Sequence, residues 1–418
     1  MIAEFKSILK KPGFLYLWAS QIFSQVTLNM MNFLLIVHLY EATHSTIATS
    51  LLWVAYALPA LLIGPIGAAS VDLMSRRRTL MVTNLLQSAT IFVYVFINQQ
   101  SIFILYAIAL IYSALNQFYG PAELATLPGT VGKKMLARAN SLFFTTSQAS
   151  LILGFGFAGI LQRLISFNGT LILSASFLFI AFISVSFLAE VKPKKRLPVE
   201  FEKVLKTFFD TIIEGYVFMR SNKAVLFPLL ILLGIQATLA IMTVNLPVIA
   251  AQILNISVNY SGVSIVVPAG IGALLGATYI PNLIKKGWRK KTLIEGGLVL
   301  TTFSLLAIAL GVPFLPLALR VTVTSILIIM TGVAFVAVDI PALTFLQEST
   351  PTWFRGRVFG NLWFLSSIIT ILPVLFSGAI SEIFGVRTLL SLMAVGIFFA
   401  FLYSKKWGQG LIKAHLSN

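Results

Sequence analysis

Residues 64–80 read GPIGAASVDLMSRRRTL. The stretch closes a long apolar run with one acid, Asp72, and follows it with three consecutive arginines, Arg76, Arg77 and Arg78. A carboxylate and a basic block at the end of a greasy segment make physical sense where a helix leaves a lipid bilayer. A full charge at the bilayer centre costs several kcal/mol, and one at the edge costs much less. A basic cluster just beyond the edge marks the cytoplasmic side.

The rest of the chain repeats this pattern. Of its 418 residues 58% are hydrophobic and only 10% charged, against roughly 25% charged in a soluble domain. Apolar runs recur from end to end, each long enough to cross ~30 Å of hydrocarbon as a helix. A membrane β-barrel would show ~10-residue alternating segments instead. The class is therefore all-α membrane protein. The hydropathy predicts twelve transmembrane helices, at about 14–40, 47–73, 78–98, 101–125, 137–163, 168–190, 223–251, 258–284, 291–312, 315–345, 356–384 and 386–404. Sorted by the loops between these spans, 27 of the 30 Lys and Arg residues fall on the side of the N-terminus. The other side holds Arg163, Arg320 and Arg387. Positive residues stay cytoplasmic, so both termini are expected inside, in the cytoplasmic (inner) membrane. This asymmetry accounts for the net charge of +17 without nucleic acid, and the same charge attracts anionic lipid head groups.

The apolar pattern breaks once, at 191–222. VKPKKRLPVE is a charged linker, and FEKVLKTFFDTIIEGYVFMR carries an i, i+3, i+4 apolar stripe. Such a helix lies in the membrane interface and does not cross it. It divides the chain into an N-terminal six-helix bundle (1–190) and a C-terminal six-helix bundle with a short tail (223–418). The halves echo one another. PAELATLP at Pro121 meets PALTFLQE at Pro341, RRRTL at Arg76 meets RKKTL at Arg289, and Gln25 meets Gln236. Two such repeats place a substrate site near the midplane between bundles that rock.

With these residues in view, the chain resembles the major facilitator superfamily over nearly its whole length. Residues 64–80 sit where that family carries its loop motif between spans 2 and 3, with Gly67, Asp72 and Arg76 to Arg78 as the matching positions. The usual glycine four before the acid is Ala68 here, and the usual basic residue after it is Leu73. The resemblance implies that Asp72 acts as a cytoplasmic latch on the start of span 11, FRGRVFGN, which brings Arg355 and Arg357; the alternative is a charge that anchors a helix end. A carboxylate suits the exposed amides of a helix N-terminus. QESTPTWFRGRVFGN (347–361), IIEGYVFMRSNK (212–223) and YGPAELATLPGTV with ARANSL (119–142) are similar to the macrolide-efflux and enterobactin-exporter branch. Two departures are visible: Phe155 replaces the proline of the span 5 antiporter step, and span 1 has no acid.

Transport makes no covalent bond, so the candidate residues are polar groups inside spans. Gln21, Gln25, Asn29 and Asn32 fall within roughly 80° of arc on span 1. Four amides facing lipid are costly, so they are expected to face protein or a cavity. Gln236 and Thr243 are the span 7 counterparts, and Tyr112, Tyr119 and Trp363 are aromatic candidates for substrate contact. Asp339 in AFVAVDIPAL and Glu123 after Pro121 are the proton-coupling candidates, because an intramembrane carboxylate can exchange a proton. Asp339 is the first choice by depth, and for each the alternative is a packing role.

Cysteine is absent, which excludes disulfides and thiol chemistry. His38, His44 and His415 offer no clear ligand set for a metal, and no phosphate-cradling GxxxxGK[ST] loop occurs. No cofactor and no enzymatic activity are expected. The expectation is a monomeric secondary transporter exporting an amphipathic small molecule, drug-like or siderophore-like, against inward proton flow. A nutrient importer or facilitator and a lysophospholipid-type flippase stay open as alternatives.

Overall fold

The computed structural model describes residues 7–70, 74–97, 101–132, 135–190, 201–351 and 353–415, excepting side chains at 68–70, 137, 201–205, 207–208, 211, 356, 363 and 407–415. Asp72 lies outside the described residues, and so does the side chain of Trp363.

Every regular element described is helical. The longer helices, in chain order, are α1 (Pro12–Thr43), α2 (Thr46–Leu62), α3 (Gly64–Ser70), α4 (Arg76–Tyr94), α5 (Ile102–Val131), α6 (Leu136–Ser186) and α7 (Phe201–Ser221). There follow α8 (Lys223–Val244), α9 (Val267–Lys285), α10 (Lys290–Leu306), α11 (Leu317–Ser349), α12 (Arg355–Ile369), α13 (Ile371–Phe384) and α14 (Val386–His415). With no water in the hydrocarbon to satisfy backbone groups, helices are the natural solution for so apolar a chain.

Among the described residues nine helices are long and apolar enough to cross a membrane. The hydropathy reading expects twelve, and three particulars account for the difference. The second expected span is divided into α2 and α3. The third, α4, carries Arg76 to Arg78 and the amides Asn84 and Gln87. The fifth and sixth run together as α6, whose 51 residues are interrupted at Ser166 (φ 67, ψ 171). A straight helix of that length would reach about 76 Å. α6 instead folds back on itself. Thr146 accepts the Trp18 indole N–H at 2.9 Å, and Ser184 donates to the Tyr16 carbonyl at 2.8 Å. Both arms therefore lie beside the same turn of α1 and run antiparallel.

The contacts divide the chain into two compact units, Met1–Ala42 with Leu52–Phe208, and Thr43–Leu51 with Phe209–Asn418. In the first, Phe14, Leu17, Leu80, Tyr119, Leu127 and Phe143 form one apolar cluster at the Arg76 end. Gly67 is needed there, because a Cβ would collide with the Gln117 carbonyl of α5. In the second, Val225, Phe227, Leu232, Val338, Leu346 and Val358 form the corresponding core. α9 and α11 cross at Gly272 and Gly332, where a Cβ on either would strike the other's backbone. Close crossings at small residues are how membrane helices gain packing when lipid and core are equally apolar.

Candidate functional site

The most developed polar feature lies inside the first unit, close to the α4 end that bears Arg76 to Arg78. α1 contributes Ser20 and Ser24, four apart and so on one face. α4 contributes Asn84, and α5 contributes Tyr119 and Glu123, again four apart. All five are buried, Asn84 and Ser20 completely and Glu123 to 5% exposure. Ser24 Oγ donates to Asn84 Oδ1 at 3.0 Å, and Asn84 Nδ2 donates to Ser20 Oγ at 3.2 Å. Ser20 Oγ and Tyr119 OH are 3.2 Å apart, and Tyr119 OH donates to Glu123 Oε1 at 2.8 Å.

The direction of this chain follows from counting protons. A hydroxyl has one to give. Tyr119 spends its proton on Glu123, so Ser20 must donate to Tyr119. Every donor then points toward the carboxylate, which is the arrangement that holds an ionised acid inside a dry bundle. Among the described residues Glu123 has no cationic partner within ion-pair distance. Arg76 binds the Ala125 carbonyl at 2.6 Å instead. A buried carboxylate served only by neutral donors can take up a proton by reversing the Tyr119 hydroxyl, and no charged group need move.

The span 1 amides are placed as follows. Gln21 is buried and donates to the Phe143 carbonyl of α6 at 2.9 Å. Asn29 donates to the Gln25 carbonyl of its own helix at 2.8 Å. Gln25 and Asn32 are half-buried, and Asn32 hydrogen-bonds Tyr56. Tyr112 is buried. Its carbonyl accepts from Gln87, while Ser113 next to it donates to the Tyr56 carbonyl. Asn32, Tyr56 and Gln87 thus gather around the α5 turn at Tyr112, one and a half to two turns from the Glu123 chain.

In the second unit Gln236 and Thr243 are half-buried on α8, and Thr243 bonds back to the Leu239 carbonyl. Asp339 is half-buried on α11. Among the described residues it receives no hydrogen bond and makes no ion pair. The buried amide that does find a partner across helices is Asn245, which donates to Ser377 Oγ at 3.1 Å.

The basic residues of the loop motif clamp helix ends. Arg77 donates to the Ser186 carbonyl at the last residue of α6, and Arg78 pairs with Glu190 at 2.9 Å. Cations are favoured at the carbonyl end of a helix. Arg355 closes on the carbonyls of Gln347 and Thr350, and Arg357 pairs with Glu214 of α7 at 2.8 Å.

Ser20, Ser24, Asn84, Tyr56 and Gln87 escape the sequence reading. One signal was present for α4: Thr83, Asn84, Gln87 and Ser88 form a polar stripe at i, i+1, i+4, i+5 within a predicted span, and all four are buried. The serines carry no such signal, because hydroxyls also bond harmlessly within their own helix.

Comparison with known proteins gives a consistent frame. The profile of the Major Facilitator Superfamily matches residues 17–373. An uncharacterized MFS-type transporter, YfiS of Bacillus subtilis (strain 168), is 23% identical over 383 residues, covering 90% of this chain and 88% of its own. Among solved structures, the nucleoside transporter NupG superposes with a TM-score of 0.73 at 14% identity, covering 94% of this chain and 99% of its own. A bacterial homolog of the human lysosomal transporter Spinster, inward-facing and unoccupied, gives 0.74 at 14% identity, covering 96% and 98%. These structures share the fold.

Proposed function

The chain belongs to the Major Facilitator Superfamily, and from that premise we propose that it exports amphipathic small molecules in exchange for protons, with Glu123 as the group that holds the proton. As a family member it is a multi-pass membrane transporter of small molecules and not an enzyme.

The observation that carries the coupling is the donor chain from Ser24 through Asn84, Ser20 and Tyr119 to Glu123. A carboxylate with no cation beside it gains most from neutralisation when its surroundings dry out, so its protonation state can track an alternating-access cycle. Asp339 is the second candidate. It lacks a supporting donor chain, and its neighbour Pro341 frees a backbone carbonyl that suits a polar contact. Amphipathic cargo is supported by composition: 12% of the chain is aromatic and few charges lie within spans, which suits ligands held by area burial. Tyr112, Trp363, Gln25, Asn32, Gln236 and Thr243 are the proposed contacts. The cytoplasmic membrane, with both termini inside, is supported by the distribution of Lys and Arg.

The test is proton movement in vesicles holding the chain in one orientation. A pH gradient is imposed, and a panel of amphipathic compounds and siderophores is added to wild type, Glu123→Gln and Asp339→Asn. Compound-dependent proton release that Glu123→Gln abolishes and Asp339→Asn spares supports the proposal. Loss only in Asp339→Asn moves the proton to the second unit. Transport indifferent to the gradient in every form indicates a facilitator or flippase.

A further inference from the structure

Near its end α13 carries one acid, Glu382. Glu382 Oε2 accepts Ser45 Oγ at 2.6 Å and the Ile47 amide at 3.0 Å, across a separation of 337 and 335 residues. Ser45 immediately precedes α2 and itself accepts the Ala48 amide at 3.1 Å. The first amides of a helix have no partner of their own, and the helix dipole favours a carboxylate there. Ser45 is therefore the local cap, and Glu382 holds both the cap and the first turn.

Beneath this exposed carboxylate the contact is dry. Thr46 Oγ1 donates to the Gly378 carbonyl at 2.7 Å, and Thr46, Thr49 and Ser50 are buried. A Cβ on Gly378 would run into Ser50 and the Thr46 carbonyl, so the α13 backbone rests directly on the first turn of α2. These contacts explain why Thr43–Leu51 belongs to the second unit although Ala42 and Leu52 belong to the first. The chain departs through His44, in a left-handed turn at φ 51, and returns in the middle of an unbroken helix.

The two layers of contact differ in kind. The dry layer sets the fit. The exposed carboxylate can exchange its partners for water at small cost. We propose that Glu382 is a positioning residue of the transport cycle, a releasable latch that holds the first turn of α2 in the second unit in the conformation seen here and frees it in the alternate one.

The purpose of the latch rests on the transport reading, but the latch can be tested without a substrate. The chain has no cysteine, so introduced pairs are unique labelling sites. Spin labels at Leu51→Cys and Ile383→Cys report the latch, and labels at Phe314→Cys and Ile383→Cys report the second unit alone. All three positions are exposed. Distances are measured in lipid nanodiscs for the otherwise unchanged chain, Glu382→Ala, Glu382→Gln and Ser45→Ala. Glu382→Ala is expected to raise a longer 51–383 component at least about fivefold relative to the short one, the worth of one helix cap. Glu382→Gln and Ser45→Ala fall between, and the 314–383 distances stay constant. An unchanged 51–383 distribution in Glu382→Ala would overturn the proposal. So would a shift in both pairs, which would make Glu382 a general support of the unit. Vesicles that move neither protons nor compounds count against the transport reading and leave the distance result standing.

Discussion

Tyr119 has one proton to give and Glu123 takes it, and that shortage gives the Glu123 chain its direction. Replacing Tyr119 with Phe removes the last donor to Glu123 and the acceptor of Ser20 together. Two buried groups each lose a partner, at about 1–3 kcal/mol for a group left unsatisfied, so thermal melting of the purified protein should fall by several degrees. Glu123→Gln keeps the volume and still accepts from Tyr119. Its melting temperature should stay close to wild type while proton exchange is lost. That pair of results would separate a proton-holding role from a packing role. The repeats add a comparison. The offset that brings Pro121 onto Pro341 brings Tyr119 onto Asp339. The second unit thus has its own carboxylate where the first has the phenol that serves one. Asp339→Asn should leave stability unchanged, because among the described residues no donor would be stranded.

At the scale of elements the turn inside α6 carries the sharpest expectation. Ser166 adopts φ 67, ψ 171, a region that only glycine enters without strain. Its hydroxyl accepts the Gly169 amide at 3.3 Å, which makes it the cap of the returning arm. Ser166→Ala keeps the strain and loses the cap, so it should cost about 1 kcal/mol. Ser166→Gly also loses the cap but relieves the strain, so it should be near neutral or stabilising. Thermal melts of the two variants, read side by side, check the assignment of the fold-back. The arginine clamp offers a second contrast. Arg78 and Glu190 pair with side chains 75% and 40% exposed, so Arg78→Ala should cost less than about 1 kcal/mol. Arg77→Ala frees the Ser186 carbonyl at the end of α6 and should cost more, as read by melting and by protection of the α6 end from proteolysis.

At the scale of the whole molecule the charge distribution makes a prediction that needs no substrate. Enzyme reporters fused after residue 418 and at the 191–200 linker should both report the cytoplasmic side, and a reporter in the loop near Arg163 should report the other. Hydropathy and charge were enough for this because the bilayer imposes them along the chain. Any helix that crosses must be apolar for about twenty residues, and any loop that stays inside collects Lys and Arg. The helical class was legible for the same reason. The sequence put Asp339 first and Glu123 second as proton-coupling candidates, and Glu123 stands out as a carboxylate after Pro121 within an apolar run. What the line of sequence could not reveal was who serves it. Ser20, Asn84 and Glu123 are separated by tens of residues and meet only because α1, α4 and α5 pack with particular faces together, a matter of helix rotation that no spacing records. Gln21 and Asn29 share an arc on α1, yet one bonds the neighbouring helix and the other its own backbone, because contact depends on what lies opposite. Glu382 looks like an ordinary helix-end acid until α13 is laid on the first turn of α2. The sequence alone determined what must lie in the membrane, since transfer free energy sums residue by residue. Only the tertiary structure decided which buried polar groups meet, since hydrogen bonds demand atoms within about 3 Å, and that closeness belongs to the packing of whole helices.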